Sequence, residues 1–155
     1  MPQNHNRCIY TYVIADVQCL CATARAASRE LTRRYDAALR PTGLRTTQLS
    51  LLSRLADDGP LTVSRLAARL GVDRTSLTRE LAVLAGRDLV SVGAGSDRRA
   101  RVAALTPAGA ATLDAAWPHW EAAQAVALAG LGHERAARLL DDLRTVAALG
   151  AEGAA

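Results

Sequence analysis

The side chains best equipped for chemistry fall into two groups. In the first, Arg74 and Arg79 bracket the hydroxyls of Thr75, Ser76 and Thr78, and a second set follows at Asp97, Arg98, Arg99 and Arg101. A guanidinium offers a planar fork of donors to a guanine edge or a phosphate, and a hydroxyl serves either, so this set suits recognition of duplex nucleic acid. The second group is Cys8, Cys19 and Cys21, with Tyr35 further on. Thiolates are nucleophiles, redox centres and ligands for soft metals.

Charge agrees with the first group. From Thr62 to Arg101 there are eight arginines against four acids, while the remainder has eleven of each, so the whole net charge of +4 lies in this quarter. Such a concentration is the electrostatic footprint of a polyanionic partner.

The elements that must position these residues are mostly helices. The 155 residues suffice for one domain with a real core, and with no Phe and 3% aromatics that core is built from Leu, Ala and Val. From Asp16, an N-cap candidate, Val17, Leu20, Ala24, Ala27, Leu31, Tyr35 and Ala38 recur at helical spacing and predict a first helix of about six turns. Arg25, Arg29, Arg33 and Arg34 lie away from that face, in positions for solvent or for DNA. Pro41 and Gly43 end it, and a second helix over Thr47 to Asp57 turns Leu49, Leu52, Leu55 and Ala56 inward.

After the turn Asp58-Gly59-Pro60, Thr62 caps a third helix carrying Leu66, Ala67 and Leu70, stopped by Gly71. Asp73 caps a fourth, Arg74 to Ala85, ended by Gly86; the pair reads as a helix-turn-helix. On the fourth helix Leu77, Leu81 and Leu84 form a buried seam, and about 100° per residue places Thr75, Thr78, Arg79 and Ala82 opposite, free to enter a major groove. The period then changes: Leu89, Val90 and Val92 form a strand, Gly93 to Ser96 a turn, and Val102 to Leu105 a returning strand. Arginines at the tip of that hairpin suit a minor groove. Thr106 and Pro107 start a fifth helix with Leu113, Trp117 and Trp120, in which Pro118 predicts a kink or a break. A sixth, His133 to Leu149, lines up Leu139, Leu140, Leu143 and Val146. The surplus apolar surface of the terminal helices predicts a twofold dimer.

From Cys19 to Leu149 this order of elements resembles the MarR family of winged helix-turn-helix transcriptional regulators. The resemblance rests on Gly43-Leu44 and Gln48, the helix-turn-helix from Leu66 to Leu84, the segment Arg87 to Val90, and Asp97, Arg99, Leu105, Thr106 and Gly109. It implies a mainly α fold with a small β-hairpin wing, organised as an arm and dimerisation helix (1–45), a DNA-binding lobe (46–105) and C-terminal dimerisation helices (106–155). It further implies a homodimer on double-stranded DNA, with Thr75, Ser76, Thr78 and Arg79 in the major groove, Arg99 at the wing tip, and Arg98 and Arg101 on the backbone. Many relatives in that family answer to a small aromatic or phenolic acid held between dimer helices and lobe.

For Cys8, Cys19 and Cys21 three readings stand side by side: incidental thiols, a thiol switch, and a three-thiolate site for a thiophilic metal. If one helix ran through both Cys19 and Cys21, they would lie about 200° apart around its axis and could not bond to each other without unwinding. The fourteen-residue spacing of Cys21 and Tyr35 resembles that of the family's peroxide-sensing branch, although Arg25 stands where that branch tends to be aromatic. Such a span is about 21 Å along a helix, so any contact between the two must cross the dimer.

His5, His119 and His133 form no metal-ligand spacing with carboxylates, and no phosphate loop or nucleophile motif is present, which points away from an enzyme or a bound cofactor. No apolar run reaches the roughly 18 residues of a membrane span, and the start MPQNHNR lacks the form of a signal peptide, so the expectation is a cytoplasmic protein. The rival to a DNA-binding regulator released by a ligand or a cysteine signal is a helical dimerisation or scaffold module that reads no DNA.

Overall fold

The computed structural model describes residues 19–95 and 100–149. Six helices and a small sheet follow one another as α1 (Leu20–Leu39), a 3-10 turn (Arg40–Thr42), α2 (Thr46–Asp58), β1 (Leu61–Thr62), α3 (Val63–Leu70), α4 (Arg74–Ala85), β2 (Val90–Ala94), β3 (Arg101–Leu105), α5 (Pro107–Leu131) and α6 (His133–Ala148). None of the described helices is long and apolar enough to cross a membrane.

Helix α1 starts later than its periodicity predicts. Its cap is Cys19, in a non-helical conformation, whose carbonyl accepts the first helical hydrogen bond; Asp16, the expected cap, lies outside the described residues. Only Leu39 of this helix is buried, so most of its apolar stripe faces away from the chain's own core. In α2 the inward set is Gln48, Leu49, Leu51, Leu52 and Leu55, and Ala56 is exposed rather than buried. A helix packed on two sides, here by α5 and by α3, buries more than one stripe, and a single-face reading cannot see the second.

The two helices of the helix-turn-helix are stopped by the same device. After α3, Gly71 takes the left-handed conformation, with its N–H on Ala68 O and that of Val72 on Ala67 O. This is a Schellman arrangement, and it satisfies the last carbonyls of the helix. Helix α4 ends at Gly86 as expected, with Gly86 itself right-handed, and the left-handed residue follows at Asp88, φ 58°. The N–H groups of Asp88 and Leu89 close on Ala85 O and Leu84 O. Aspartate tolerates that conformation better than most side chains, and it places Leu89 back against the core next to Leu84, both buried.

The sheet has three antiparallel strands in the order β1-β3-β2. Leu61 pairs with Ala103, and β2 pairs with β3 from Val90–Leu105 to Ala94–Arg101. Strand β1 is an addition to the expected hairpin; two residues carry no periodicity from which to read a strand. Gly93 and Ala94, expected in the turn, are in β2, and Arg101 begins β3, so the hairpin arms are longer than the apolar alternation suggests. The turn residues 96–99 lie outside the described set.

Pro118 neither breaks nor ends α5, which runs through it to Leu131. An internal proline costs about 3 kcal/mol. Burial of Leu113 and Ala116 just before it, and partial burial of Trp120 against the core just after, hold the helix together across the proline. The core is a leucine cluster enclosed by α2, α3, α4, the sheet and the first half of α5. By contrast, Leu31, Val126, Leu139, Leu140, Leu143 and Val146 on α1, α5 and α6 are exposed.

The start of α5 is the tightest point in the fold. Thr106 caps it, its Oγ1 accepting from Gly109 N at 2.9 Å and donating to Asp88 O at 2.6 Å. A Cβ at Gly109 would lie 2.0 Å from Leu89 O and 2.8 Å from Leu105 Cδ1. Backbone oxygen cannot yield as a flexible side chain would, so Gly109→Ala is expected to destabilise the fold by about 3 kcal/mol. Thermal unfolding followed by circular dichroism tests this, and an unchanged midpoint would refute the close approach.

Candidate nucleic-acid interface

Helix α4 buries Leu77, Leu81 and Leu84 and exposes Arg74, Thr75, Ser76, Thr78, Arg79 and Ala82. The seam and the free face are divided as the spacing implies. Asp73 sets where the helix begins: its Oδ1 accepts from Ser76 N at 2.9 Å. The Ser76 hydroxyl, followed by that N–H, holds the Asp73 carboxyl below its ordinary pKa. Thr78 Oγ1 donates to Arg74 O at 2.7 Å. With its proton spent inside the helix, Thr78 presents lone pairs outward, which match a base amino group and not a phosphate oxygen. Arg79 makes no ion pair among the described residues and stands exposed with its fork free.

Beside this face lies a cleft of about 550 Å³. Thr62, Ser64, Arg74, Thr78 and Arg101 contribute its polar lining, with Ala82 and Val92 in its wall. It therefore joins the start of α3, the free face of α4 and the turn end of the hairpin into one concave surface bearing two arginines. Arg101 is exposed at the first position of β3. Asp97, Arg98 and Arg99 lie outside the described residues.

Side-chain contacts between elements, together with a local cap at the start of α2, hold this surface in place. Asp36 on α1 accepts from both Thr46 N and Thr46 Oγ1 at 2.7 Å, capping α2 from another helix. Gln48 Oε1 accepts from Arg45 N at 3.1 Å, and its Nε2 donates to Glu80 Oε2 on α4 at 3.2 Å. Arg87, past the end of α4, donates from Nη1 to the carbonyl of Gly43 at 2.9 Å, where the chain turns left-handed between α1 and α2. Gln48 and Arg87 belong to the resemblance, but nothing in it names Glu80 or the Gly43 carbonyl as their partners.

The arginines along α1 divide. Arg33 and Arg34 are spent on Glu30, at 2.8 and 2.6 Å. Arg33 first and then Arg34 hold that carboxyl down at about 2. Arg25 and Arg29 stay exposed.

Cys19 and Cys21 are both exposed, and Cys8 lies outside the described residues. Because Cys19 caps α1 instead of lying within it, the 200° separation computed for a continuous helix does not apply. No group of three metal-binding side chains occurs among the described residues. Tyr35 donates its hydroxyl to Gln124 Oε1 on α5 of its own chain, and partial burial raises its pKa.

A family model described as MarR family matches residues 42–100. Among solved structures, the chain is similar to the M. tuberculosis transcriptional regulator MosR in complex with DNA, at 44% identity and a TM-score of 0.75, over 84% of this chain and 96% of that one. A further MosR structure matches at 42% identity and a TM-score of 0.74, over 86% and 98% of the two chains. A probable transcriptional regulator from Pseudomonas aeruginosa matches at 25% identity and a TM-score of 0.77, over 83% and 97%. A search of curated proteins found no match.

The Asp73 cap yields a pH prediction. A carboxyl whose folded-state pKa is depressed stabilises the fold above its unfolded value near 3.8, and that contribution fades as pH falls through the lower folded value. Asp73→Ala should therefore lower the thermal midpoint at pH 7, with Asp73→Asn close to the parent. The gap between parent and Asp73→Ala should shrink below about pH 4; a gap that is constant from pH 7 to pH 3 would show that the carboxylate does not cap α4.

Proposed function

We propose that this chain, which belongs to the MarR family of transcriptional regulators, acts as a homodimeric repressor that occupies a promoter palindrome and is released by a signal received in its terminal helices. The observation that carries this reading is the free face of α4 (Thr75, Thr78 and Arg79) opening onto the basic cleft lined by Arg74 and Arg101. Arg79 grips a guanine edge, Thr78 accepts from a base amino group, and the start of α4 with Ser76 faces the adjacent backbone. By the family resemblance, Arg99 adds a minor-groove contact, and Arg98 and Arg101 add contacts to the DNA backbone. MosR in complex with DNA supports the same use of the fold.

A dimer is supported by the apolar side chains that α1, α5 and α6 leave uncovered. Exposure of Leu31, Val126, Leu139, Leu143 and Val146 along three helices is more than a monomeric surface ordinarily carries. Pairing them through a twofold axis covers that surface and sets two α4 helices on successive half-sites.

For the signal, two exposed thiols at the very start of α1 favour cysteine chemistry by an oxidant or a thiophilic metal over an enclosed small-molecule site. The first turn of a helix is the part most cheaply unwound, so a modified Cys19 or Cys21 alters α1 and the dimer it helps to build.

Fluorescence anisotropy with a palindrome from the chain's own promoter tests the DNA reading. Affinity should fall at least about a hundredfold between 50 and 200 mM salt. Arg79→Ala should lose roughly tenfold on the palindrome, and Arg99→Ala should weaken all duplexes and reduce the salt slope by about one. Absence of binding at low salt would leave the scaffold module in its place.

On bound DNA, Cys21→Ser should blunt release by peroxide or by a thiophilic metal ion. Unchanged release would return Cys21 to an incidental thiol.

A further inference from the structure

Among the described residues, Gln48 is the one polar side chain within the core, 6% exposed. Both ends of its amide are engaged, Oε1 by Arg45 N at the start of α2 and Nε2 by the Glu80 carboxylate on α4. Thr46, between them in sequence, is held by Asp36 of α1. The first turn of α2 is thus anchored to α1 and reaches α4 through a single side chain.

Leucine contacts alone do not define the rotation of α4 about its own axis. Leu77, Leu81 and Leu84 keep their burial through a modest rotation, because apolar burial is non-directional. The Gln48–Glu80 hydrogen bond does not tolerate the same rotation, and a buried amide has no water to replace a lost acceptor. Glu80 also follows Arg79 directly in sequence. A carboxylate on a helix that meets phosphates costs general affinity for DNA, so its presence there is better explained by geometry than by attraction.

We propose that the Gln48–Glu80 hydrogen bond fixes the rotation of α4 and so determines sequence specificity, with Glu80 as a positioning residue that touches no base. Held in one rotation, Thr75, Thr78 and Arg79 meet base edges in one register; released, α4 still presents its arginines to the backbone. This rests on the DNA-binding reading given above.

The experiment uses the full chain and compares the affinity for the promoter palindrome with that for a scrambled duplex of equal length, at one salt concentration. Glu80→Ala removes the acceptor. Glu80→Gln removes the charge and keeps an acceptor. The pair Gln48→Leu with Glu80→Leu removes both partners of the bond to α4, giving up only the local cap on Arg45 N, so it carries the test if Glu80→Ala does not fold. The ratio of the two affinities should fall about tenfold or more in Glu80→Ala and in the double variant, while binding to the scrambled duplex holds or rises. Glu80→Gln should keep the ratio within about twofold of the parent. A parent-like ratio in Glu80→Ala or the double variant overturns the proposal, as does a loss in Glu80→Gln equal to that in Glu80→Ala. A parent with no preference for the palindrome overturns the DNA-binding reading and this proposal with it, whereas a selective parent with equally selective variants overturns this proposal alone.

Discussion

Much of this structure depends on one close approach, between the first turn of α5 and the backbone that leaves α4. A side chain of any size at position 109 would meet the Leu89 carbonyl at 2.0 Å. With glycine there, Thr106 can bond both its own helix and the carbonyl of Asp88, while its N–H reaches Leu89 O. Three things are fixed together at that point: the end of the helix with the exposed arginine face, the start of β2, and the direction of the long α5. Leu84, Leu89 and Leu113 fill the core behind it, and each buried leucine contributes about 1.5–3 kcal/mol.

A second layer of order is polar. Asp36 ties α1 to α2, Arg87 ties the exit of α4 to the turn between α1 and α2, and Gln48 ties α2 to α4. Leucine burial supplies most of the stability and little of the orientation, because it does not depend on direction. These three ties are directional, and each joins one element to another. In a chain that belongs to the MarR family, these ties couple the terminal helix α1 to the exposed face of α4.

The two parts of the chain differ in how completely they satisfy themselves. From α2 to the start of α5 nearly every large apolar residue is covered, Val72 and Val83 being exceptions, and the surplus charge of the sequence lies here. Helices α1 and α6 each bury a single residue within the chain, Leu39 and Ala136. The proposed division of labour, a self-contained reading lobe carried on helices that are finished only by a partner, follows from that difference.

Local chemistry was enough to determine the helix-turn-helix. The caps Thr62, Asp73 and Thr106, the stop at Gly71, the seam Leu77-Leu81-Leu84 and the exposed Thr75, Thr78 and Arg79 all depend on neighbours within about one helical turn. Such features can be read from spacing because the backbone geometry that produces them is itself periodic. The misreadings have the opposite character. Leu51 joins the inward set of α2 and Ala56 does not, because the surfaces that cover that helix come from other elements, and α5 continues uninterrupted through Pro118 because the packing of Trp120 on its far side is not local. The left-handed turn at Asp88, past the stop at Gly86, has no local signature, because the return of Leu89 to the core and the bond from Thr106 set its position. Glu80 reads in sequence as one more acid on an exposed helix. Only the folded chain brings the amide of Gln48 to it across 32 residues, and a hydrogen bond over that distance has no periodic signature to leave behind.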